Sequence, residues 1–301
     1  MMEISNTSSA QQLISLNETQ ISKTLYSILV SLYSVDLAGG ITGVVLMSYH
    51  LLQRRSQSVM TAIIINLMVV HAILLLSLPF RLSYYISSEW KLGWFTCRMV
   101  SGLIYIHMYI TFIFYVAIIL IRLLKLEFKK CYTTTWLAVV WLVGILVILP
   151  IFISYYGTTD SYKDSECFQF QKDIMKEGMM ITNYCLIATL MTIFSVLTII
   201  QLAIIFQLAV KYWPEMNSHV EFRAHMKSFF FTLVILVCFI PHHVFRLYYI
   251  KHFHQNGDHK LLLYNEIFLA FTAMCCLDML FRLSKLIRKR FGDLTVGYNG
   301  K

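Results

Sequence analysis

Seven separate apolar runs occur along this chain of 301 residues, and they restrict its possible folds more than any other feature. Each run is long enough to cross a hydrocarbon layer of about 30 Å as a helix of about 20 residues. Within that layer every backbone N–H and C=O group needs a partner from the chain itself, so only α-helices or closed β-barrels can span it. The runs lack the alternation of apolar and polar residues that is typical of barrel strands. We therefore predict seven helical spans, at about residues 25–52, 59–86, 94–126, 134–155, 178–211, 222–250 and 261–284.

The composition agrees with a membrane environment. Hydrophobic residues make up 58% of the chain and charged residues 14%, whereas about 25% of the residues in a typical soluble domain are charged. The formal net charge of +9 is compatible with nucleic-acid binding, but the basic residues lie in short loops beside the apolar runs, which favours membrane topology. We therefore predict an all-α membrane protein, a seven-transmembrane helix bundle that contacts membrane lipid and does not bind nucleic acid.

The distribution of charge predicts how the chain crosses the membrane. Basic residues concentrate in the first, third and fifth connections and in the C-terminal tail, namely Arg54, Arg55, Lys129, Lys130, Lys211, Arg223, Lys227, Lys285, Arg288, Lys289 and Arg290. The opposite set of segments is mainly acidic, with Glu3, Glu18, Glu89, Asp160, Asp164, Glu166, Asp173, Glu177 and Asp258. Because cytoplasmic loops contain the excess of Lys and Arg, we predict an extracellular N-terminus and a cytoplasmic C-terminus in the plasma membrane.

Both ends of the chain are predicted to be short. Residues 1–24 form a polar extracellular tail, which contains glycosylation acceptor triplets at Asn6 and Asn17. Residues 25–284 contain the seven spans, and residues 285–301 form a short cytoplasmic tail. The segment Leu283–Phe291 is predicted to form a short amphipathic, basic helix on the membrane surface. The alternative is a plain solvated tail.

A cysteine and an arginine mark the two ends of the third span. Cys97 lies at its predicted outer start and Arg122 near its inner end, about 37 Å away at 1.5 Å per helical residue. Rhodopsin-like (class A) G-protein-coupled receptors have a disulfide cysteine and an arginine that faces the G protein at these positions, so the chain resembles that family. The resemblance implies a disulfide between Cys97 and Cys167, on the second outer loop. Only an oxidising outer face would maintain this bond.

Further motifs extend the resemblance over nearly the whole chain. They are Asn66-Leu67, Trp90-Lys91-Leu92-Gly93, Trp141 with Pro150, and Cys238-Phe239-Ile240-Pro241. Four segments resemble one orphan member of the family in particular, namely Ile65-Asn66-Leu67-Met68-Val69-Val70-His71, Leu78-Pro79-Phe80-Arg81-Leu82, Ile106-His107-Met108-Tyr109 and Tyr264-Asn265-Glu266-Ile267-Phe268-Leu269. The resemblance implies an orphan-type receptor that transmits an extracellular signal to heterotrimeric G proteins. We predict no enzymatic activity, no cofactor and no bound metal.

Several positions depart from the family pattern. His71 stands where most of the family has a sodium-binding aspartate, and a histidine is a poor ligand for that hard cation. We interpret His71 as a hydrogen-bonded core residue, with a proton-sensing switch as the alternative. Asp278 fits the first position of the family's Asn-Pro-x-x-Tyr motif, but the proline is missing and Arg282 occupies the place of the tyrosine.

The usual acidic neighbour of the inner arginine is also missing, because residue 121 is isoleucine. Glu221 precedes Pro241 by about 30 Å of helix, which predicts the same inner depth as Arg122. We hypothesise that an Arg122–Glu221 pair holds the inactive state; the alternative is a solvated loop glutamate. The residues that we predict to act in switching and G-protein coupling are Arg122, Glu221, His71, Pro241 and Asp278.

Charged and aromatic residues in the outer halves of the spans predict a ligand pocket. His243 and Arg246 share one face of span six, and purinergic and related receptors resemble this arrangement, in which such a pair holds an anionic ligand. The predicted pocket residues are Arg81, Arg98, Tyr105, Tyr109, His243, Arg246 and Glu266. Bidentate arginine contacts favour a carboxylate or phosphate. We therefore predict a small extracellular ligand that is anionic or lipid-like.

Alternatives remain both for the pocket residues and for the function of the whole chain. Arg81 and Arg246 could instead extend to the membrane interface, or Glu266 could neutralise one arginine internally. For the whole chain, the alternatives are a multi-pass transporter and a membrane-embedded metal hydrolase, the latter suggested by the histidines of residues 242–259. The chain lacks the repeated halves that are typical of transporters and the His-Glu-x-x-His pattern of zinc hydrolases.

Overall fold

The computed structural model describes residues 2–53, 58–124, 130–155, 165, 167–168, 171–174, 176–215, 218–256 and 259–281, and only the backbone of residues 2–19, 130–131, 147–155, 171–172, 254–256 and 259. Its α-helices are α1 (Met2–Leu52), α2 (Val59–Ser87), α3 (Gly93–Leu123), α4 (Lys130–Tyr155), α5 (Gln171–Ile174), α6 (Glu177–Lys211), α7 (Val220–Val234), α8 (Ile240–Asn256) and α9 (His259–Ala273). A π-helical stretch, Ile235–Phe239, joins α7 to α8, and a 3-10 stretch, Met274–Leu277, follows α9. The prediction of an all-α protein is confirmed for these residues.

The helical segments agree with the seven predicted spans. Six are long and apolar enough to cross a membrane, namely Gln20–Leu52, Val59–Ser87, Gly93–Leu123, Glu177–Lys211, Val220–Phe253 and Lys260–Phe281. A shorter apolar helix, Tyr132–Leu146, lies within α4 and accounts for the fourth span. The predicted amphipathic helix at Leu283–Phe291 lies outside the described residues. Below, the end of the bundle that contains Cys97 is called the disulfide end, and the opposite end is called the Arg122 end.

The first helix begins earlier than the sequence predicted. Its backbone is already helical at Met2, whereas we expected a polar tail over residues 1–24. This segment contains neither proline nor glycine, so no residue in it interrupts helical hydrogen bonding before the apolar span begins. Asn6 and Asn17 lie on this extension, and their glycosylation stays a prediction.

The sixth span is irregular near its proline. The N–H of Ile240 donates to the carbonyl of Ile235, five residues earlier, at the end of the π-helical stretch. Pro241 follows directly, and a proline has no N–H and its ring clashes with the carbonyl four residues before it. One wider turn relieves this conflict, because π-helical turns occur as local adjustments within α-helices. The span therefore continues through Pro241 as one irregular helix.

Close approach of α1 to its neighbours depends on glycine. A Cβ atom placed on Gly40 would lie 2.6 Å from the Cδ2 atom of Leu75 and 3.0 Å from the sulfur of Cys276. These residues belong to α2 and to the 3-10 stretch. A side chain at position 40 would therefore push α1 away from both segments. This agrees with the enrichment of small residues where helices pack closely in membranes.

Helix α3 packs in the middle of the bundle, where it contacts α2, α4, α7 and α9. Polar side chains connect other helices inside the bundle. The indole N–H of Trp141 on α4 donates to the side-chain oxygen of Asn66 on α2 over 2.9 Å, and the hydroxyl of Thr232 on α7 donates to Gln201 on α6. Such bonds satisfy groups that would be costly to leave unpaired in an apolar environment.

The outer faces of the helices expose large apolar side chains. On α6, Ile199, Phe206 and Val210 are 67%, 70% and 65% exposed. A soluble monomer rarely exposes continuous apolar surface of this kind, because water contacts it at a cost in free energy. Lipid chains are apolar themselves and can cover these faces. The fold is therefore that of a multi-pass membrane protein.

The predicted disulfide between Cys97 and Cys167 is present, with the two Cα atoms 5.8 Å apart. It attaches the loop segment after α4 to the start of α3. The next residue, Phe168, has a positive φ of 65° and packs its ring against those of Tyr84, Tyr85 and Trp90. The disulfide thereby positions an aromatic side chain over the centre of the disulfide end.

We expect the double substitution C97S/C167S to lower the free energy of unfolding by about 2–4 kcal/mol, because the disulfide restricts the unfolded chain. Thermal unfolding of the purified protein in detergent measures this change. Cys185→Ser is the matched control, because Cys185 is an exposed free cysteine and its loss should leave the unfolding temperature unchanged. Equal unfolding temperatures for the double variant and the control would contradict the prediction.

Candidate functional site

A narrow cavity lies between the helices at the disulfide end. Its lining consists of Arg81, Ser101, Tyr105, Phe168, Ile174, Arg246, Tyr249, Leu262, Asn265 and Glu266. The volume open to the centre of a water molecule is about 10 Å³, which is room for about one water. The helices that form this cavity are α2, α3, α5, α8 and α9, together with the loop around the disulfide. In this conformation the protein's own side chains fill most of the space.

Arg81 is the most constrained charge in the cavity. Its side chain is 1% exposed and donates to the carboxylate of Glu266 over 3.1 Å. It also donates to the hydroxyl of Tyr33, and the ring of Phe168 lies 4.3 Å from the guanidinium carbon. The alternative in which Arg81 extends to the membrane interface is therefore wrong. The alternative in which Glu266 neutralises an arginine agrees with this geometry.

Arg246 lies on the other side of the same cavity. Its residue is 2% exposed, so the interfacial alternative is wrong here too. The guanidinium donates to the side-chain oxygen of Asn265 over 3.1 Å and lies 5.6 Å from the ring centre of Tyr249. Asn265 is a neutral partner, unlike the carboxylate beside Arg81. Among the residues that the structure describes, the cavity lining thus contains two arginines and one carboxylate.

The other predicted pocket residues divide into two groups. Tyr105 lines the cavity beside the arginines. Tyr109 and His243 lie outside its lining and face each other, with ring centres 6.4 Å apart. Arg98 is also outside the lining, because its guanidinium lies over the ring of Trp94, 4.6 Å away.

Sequence reasoning missed several residues that contact the charged side chains of the cavity. The hydroxyl of Tyr85 donates to Glu266 over 3.1 Å, and Tyr33 from α1 and Phe168 from the loop contact Arg81. Tyr84 and Tyr85 are adjacent in a span, which is typical of interfacial aromatic residues as well as of binding sites. The contribution of α1 had no sequence signal, because a single tyrosine in an apolar helix is compatible with either face.

A second group of polar residues lies at the centre of the bundle. The Nδ1 atom of His71 lies 3.0 Å from Nε2 of His107, and the same Nε2 lies 3.7 Å from the sulfur of Cys275. Asp278 lies 3.8 Å from Nε2 of His71 and accepts a hydrogen bond from the hydroxyl of Tyr115. This agrees with the interpretation of His71 as a hydrogen-bonded core residue. His107 belongs to one of the segments that resemble the orphan receptor, but the sequence alone predicts no role for its side chain.

At the Arg122 end, α3 is joined to the sixth span. The guanidinium of Arg122, which is partly buried, donates to the backbone carbonyl of Ala224 on α7 over 3.1 Å. Glu221 lies one turn earlier on the same helix and is exposed to solvent. Arg122 therefore contacts the turn of α7 that follows Glu221, and the equal depth of Arg122 and Glu221 stays a prediction. The pairing of Arg122 with Glu221 stays a hypothesis.

Comparison with known proteins agrees with this architecture. The sequence profile of the family described as "7 transmembrane receptor (rhodopsin family)" matches residues 42–278. Human "Probable G-protein coupled receptor 141" is 38% identical over 262 residues, which cover 84% of this chain and 86% of the relative. Receptor 141 is the orphan receptor that four segments of the sequence resemble, and this resemblance is confirmed.

More distant relatives have the same kind of name. Mouse "Probable G-protein coupled receptor 34" is 27% identical over 293 residues, 89% of this chain and 76% of the relative. Human "G-protein coupled receptor 171" is 26% identical over 224 residues, 70% of this chain and 69% of the relative. These matches favour a receptor over the transporter and hydrolase alternatives. The chain belongs to the rhodopsin family of seven-transmembrane receptors.

Proposed function

We propose that this receptor detects a small anionic or lipid-like ligand in the cavity of Arg81 and Arg246 and transmits the signal to a heterotrimeric G protein at the Arg122 end. The proposal places the N-terminus outside the plasma membrane and the C-terminus inside, as the positive-inside rule predicts. The main supporting observation is the pair of buried arginines that, among the described lining residues, share the cavity with one carboxylate.

Charge within the cavity favours an anion. Arg81 and Arg246 together contribute two positive charges to the lining, and Glu266 contributes one negative charge. A buried net charge is costly in an apolar environment, so a ligand carboxylate or phosphate that approaches Arg246 would lower the free energy of the occupied cavity. Arginine also offers two parallel N–H donors, which match the two oxygens of such a group.

Ligand entry requires the cavity to open. Its volume of about 10 Å³ is too small for any ligand larger than water. Phe168, on the loop held by the disulfide, lies directly over Arg81, so movement of this ring is the simplest way to enlarge the space. A ligand that binds the open arrangement better than the closed one shifts the population between them, as a two-state receptor requires.

The Arg122 end supplies the second element of such a switch. The hydrogen bond from Arg122 to Ala224 connects α3 with the beginning of the sixth span. Glu221, one turn earlier, lies on the same segment of α7. Opening of this contact would separate the two helices at the Arg122 end and make room for a G protein. The free energy that couples the two ends is then set by the difference in ligand affinity between the closed and the open arrangement.

Matched pairs of compounds test the nature of the ligand. We would measure receptor activation and thermal stabilisation with carboxylic acids and phosphate monoesters, each compared with the neutral amide or ester of the same skeleton. The charged member of each pair should be the active compound. Arg246→Gln should lower the potency of these compounds by about 10- to 100-fold, because it removes a hydrogen bond between charged groups. Tyr264→Phe, at a 40% exposed position next to Asn265, is the control and should change nothing. Equal potency of neutral analogues would refute an anion site.

Stability measurements test the internal ion pair. Arg81→Met should lower the free energy of unfolding by about 3–5 kcal/mol, because it leaves the carboxylate of Glu266 buried without its counter-ion. The double variant R81M/E266Q should regain most of this loss, since neither charge remains. Lys91→Ala breaks an exposed 3.4 Å pair with Glu89 and should cost less than about 1 kcal/mol. If the double variant is no more stable than Arg81→Met, the pair does not act as described.

Basal signalling tests the Arg122 end. In cells without added ligand, Arg122→Ala should abolish G-protein activation at matched surface level, because it removes the group that we assign to coupling. Glu221→Ala should raise basal activation, because it weakens the proposed contact that holds the inactive state. Arg223→Ala changes an exposed residue on the same turn and serves as the control. Unchanged basal activation in Glu221→Ala would exclude the Arg122–Glu221 hypothesis.

A further inference from the structure

Three metal-binding side chains from three helical segments meet at the centre of the bundle. They are His71 on α2, His107 on α3 and Cys275 on the 3-10 stretch, and all three are buried. One ligand atom from each lies within 4.8 Å of the other two. The segments are far apart in the sequence, so only the folded bundle assembles this group.

Two of the three distances between ligand atoms are close to those in the coordination sphere of zinc. Bonds of about 2.0–2.1 Å to nitrogen and 2.3 Å to sulfur, arranged tetrahedrally, place neighbouring ligand atoms about 3.3–3.6 Å apart. Here the two imidazole nitrogens are separated by 3.0 Å, and the second nitrogen lies 3.7 Å from the sulfur. The ligand atoms of His71 and Cys275 lie within 4.8 Å of each other, so side-chain movements of up to about 1 Å would bring all three atoms onto one ion.

The chemistry of the ligands selects the same ion. Imidazole and thiolate groups bind zinc well, whereas a hard cation such as sodium prefers oxygen atoms. The carboxylate Asp278 lies behind His71, with an oxygen 3.8 Å from the Nε2 atom that faces away from His107. Tyr115 donates a hydrogen bond to the other oxygen over 3.0 Å. A carboxylate behind a histidine ligand is the usual outer arrangement of zinc sites, where it orients the ring.

Charge neutrality permits such a site inside a membrane. When zinc binds, the thiol of Cys275 loses its proton to solvent and its sulfur forms a bond to the metal. The two positive charges of zinc are then balanced by one thiolate and by the carboxylate of Asp278. This neutral group avoids the cost of an isolated charge in the apolar interior. Three protein ligands leave a fourth position for a water molecule.

We propose that His71, His107 and Cys275 form a zinc-binding site at the centre of this receptor, with Asp278 as the carboxylate that orients His71. Zinc at this site connects α2, α3 and the segment after α9. Because the ligands come together only in the folded protein, zinc stabilises the folded receptor by mass action. The site is independent of the ligand proposed for the outer cavity.

Metal analysis of the full-length receptor tests the proposal. The protein is purified in detergent, treated with a chelator, dialysed against zinc chloride and then analysed for bound metal by mass spectrometry. Wild type should contain about one zinc per chain, and Cys275→Ser should contain none at the same free zinc concentration. Asp278→Asn should bind about 10- to 100-fold more weakly, the usual effect of losing an outer carboxylate.

The adjacent cysteine is the matched control. Cys276 is equally buried, but its sulfur lies 3.7 Å from the backbone oxygen of Asp36 and not in the cluster. Cys276→Ser should therefore keep its zinc. Each variant must elute as a single species in size-exclusion chromatography. If Cys275→Ser does not elute in this way, His107→Asn is used as the ligand variant instead. The proposal is overturned if wild type contains no zinc, or if wild type and the ligand variant contain equal amounts.

Two further measurements separate this site from weak surface binding. Cobalt should give a thiolate charge-transfer absorption band in wild type and Cys276→Ser but none in Cys275→Ser, because the band requires a sulfur ligand. Zinc should also raise the unfolding temperature of the first two proteins and leave the third unchanged. A zinc-induced shift that persists in Cys275→Ser would contradict the assignment of these ligands.

Discussion

Polar groups inside this bundle depend on one another, because the surrounding lipid offers them no hydrogen bonds. The constraint first acts on the backbone, where it enforces helices. It then acts on side chains and determines where helices meet. Trp141 reaches Asn66 between α4 and α2, and Arg81 reaches Glu266 between α2 and α9. Apolar contacts between helices resemble contacts with lipid, so these polar contacts and the close fit at Gly40 specify the arrangement of the helices.

Helix α3 takes part in all three polar regions. Tyr105 lines the cavity at the disulfide end, His107 and Tyr115 belong to the central group, and Arg122 contacts α7 at the opposite end. A small displacement of this one helix would therefore change each region at the same time. Packed cores shift between discrete arrangements and do not deform smoothly, so α3 is the natural element through which a ligand would act on G-protein coupling.

The centre of the bundle differs from the pattern of the family in a consistent way. Histidine replaces the sodium-binding aspartate at position 71, and the structure places a second histidine and a cysteine beside it. The acidic residue that remains, Asp278, is held by Tyr115 and faces His71. The oxygen donor missing at position 71 is thus accompanied by nearby nitrogen and sulfur atoms. Nitrogen and sulfur donors suit the same kind of ion, which is the physical basis of the proposed zinc site.

The sequence by itself determined the seven spans and the resemblance to the family, because run length and the spacing of Cys97 and Arg122 are properties of the chain in one dimension. The resemblance in turn implied the disulfide between Cys97 and Cys167. Only the tertiary structure decided that Arg81 and Arg246 are buried together and do not extend to the interface, and that His107 meets His71. Helical periodicity assigns residues to faces of a helix. Which faces meet depends on the rotation and depth of every helix, and packing of the whole bundle sets these at once.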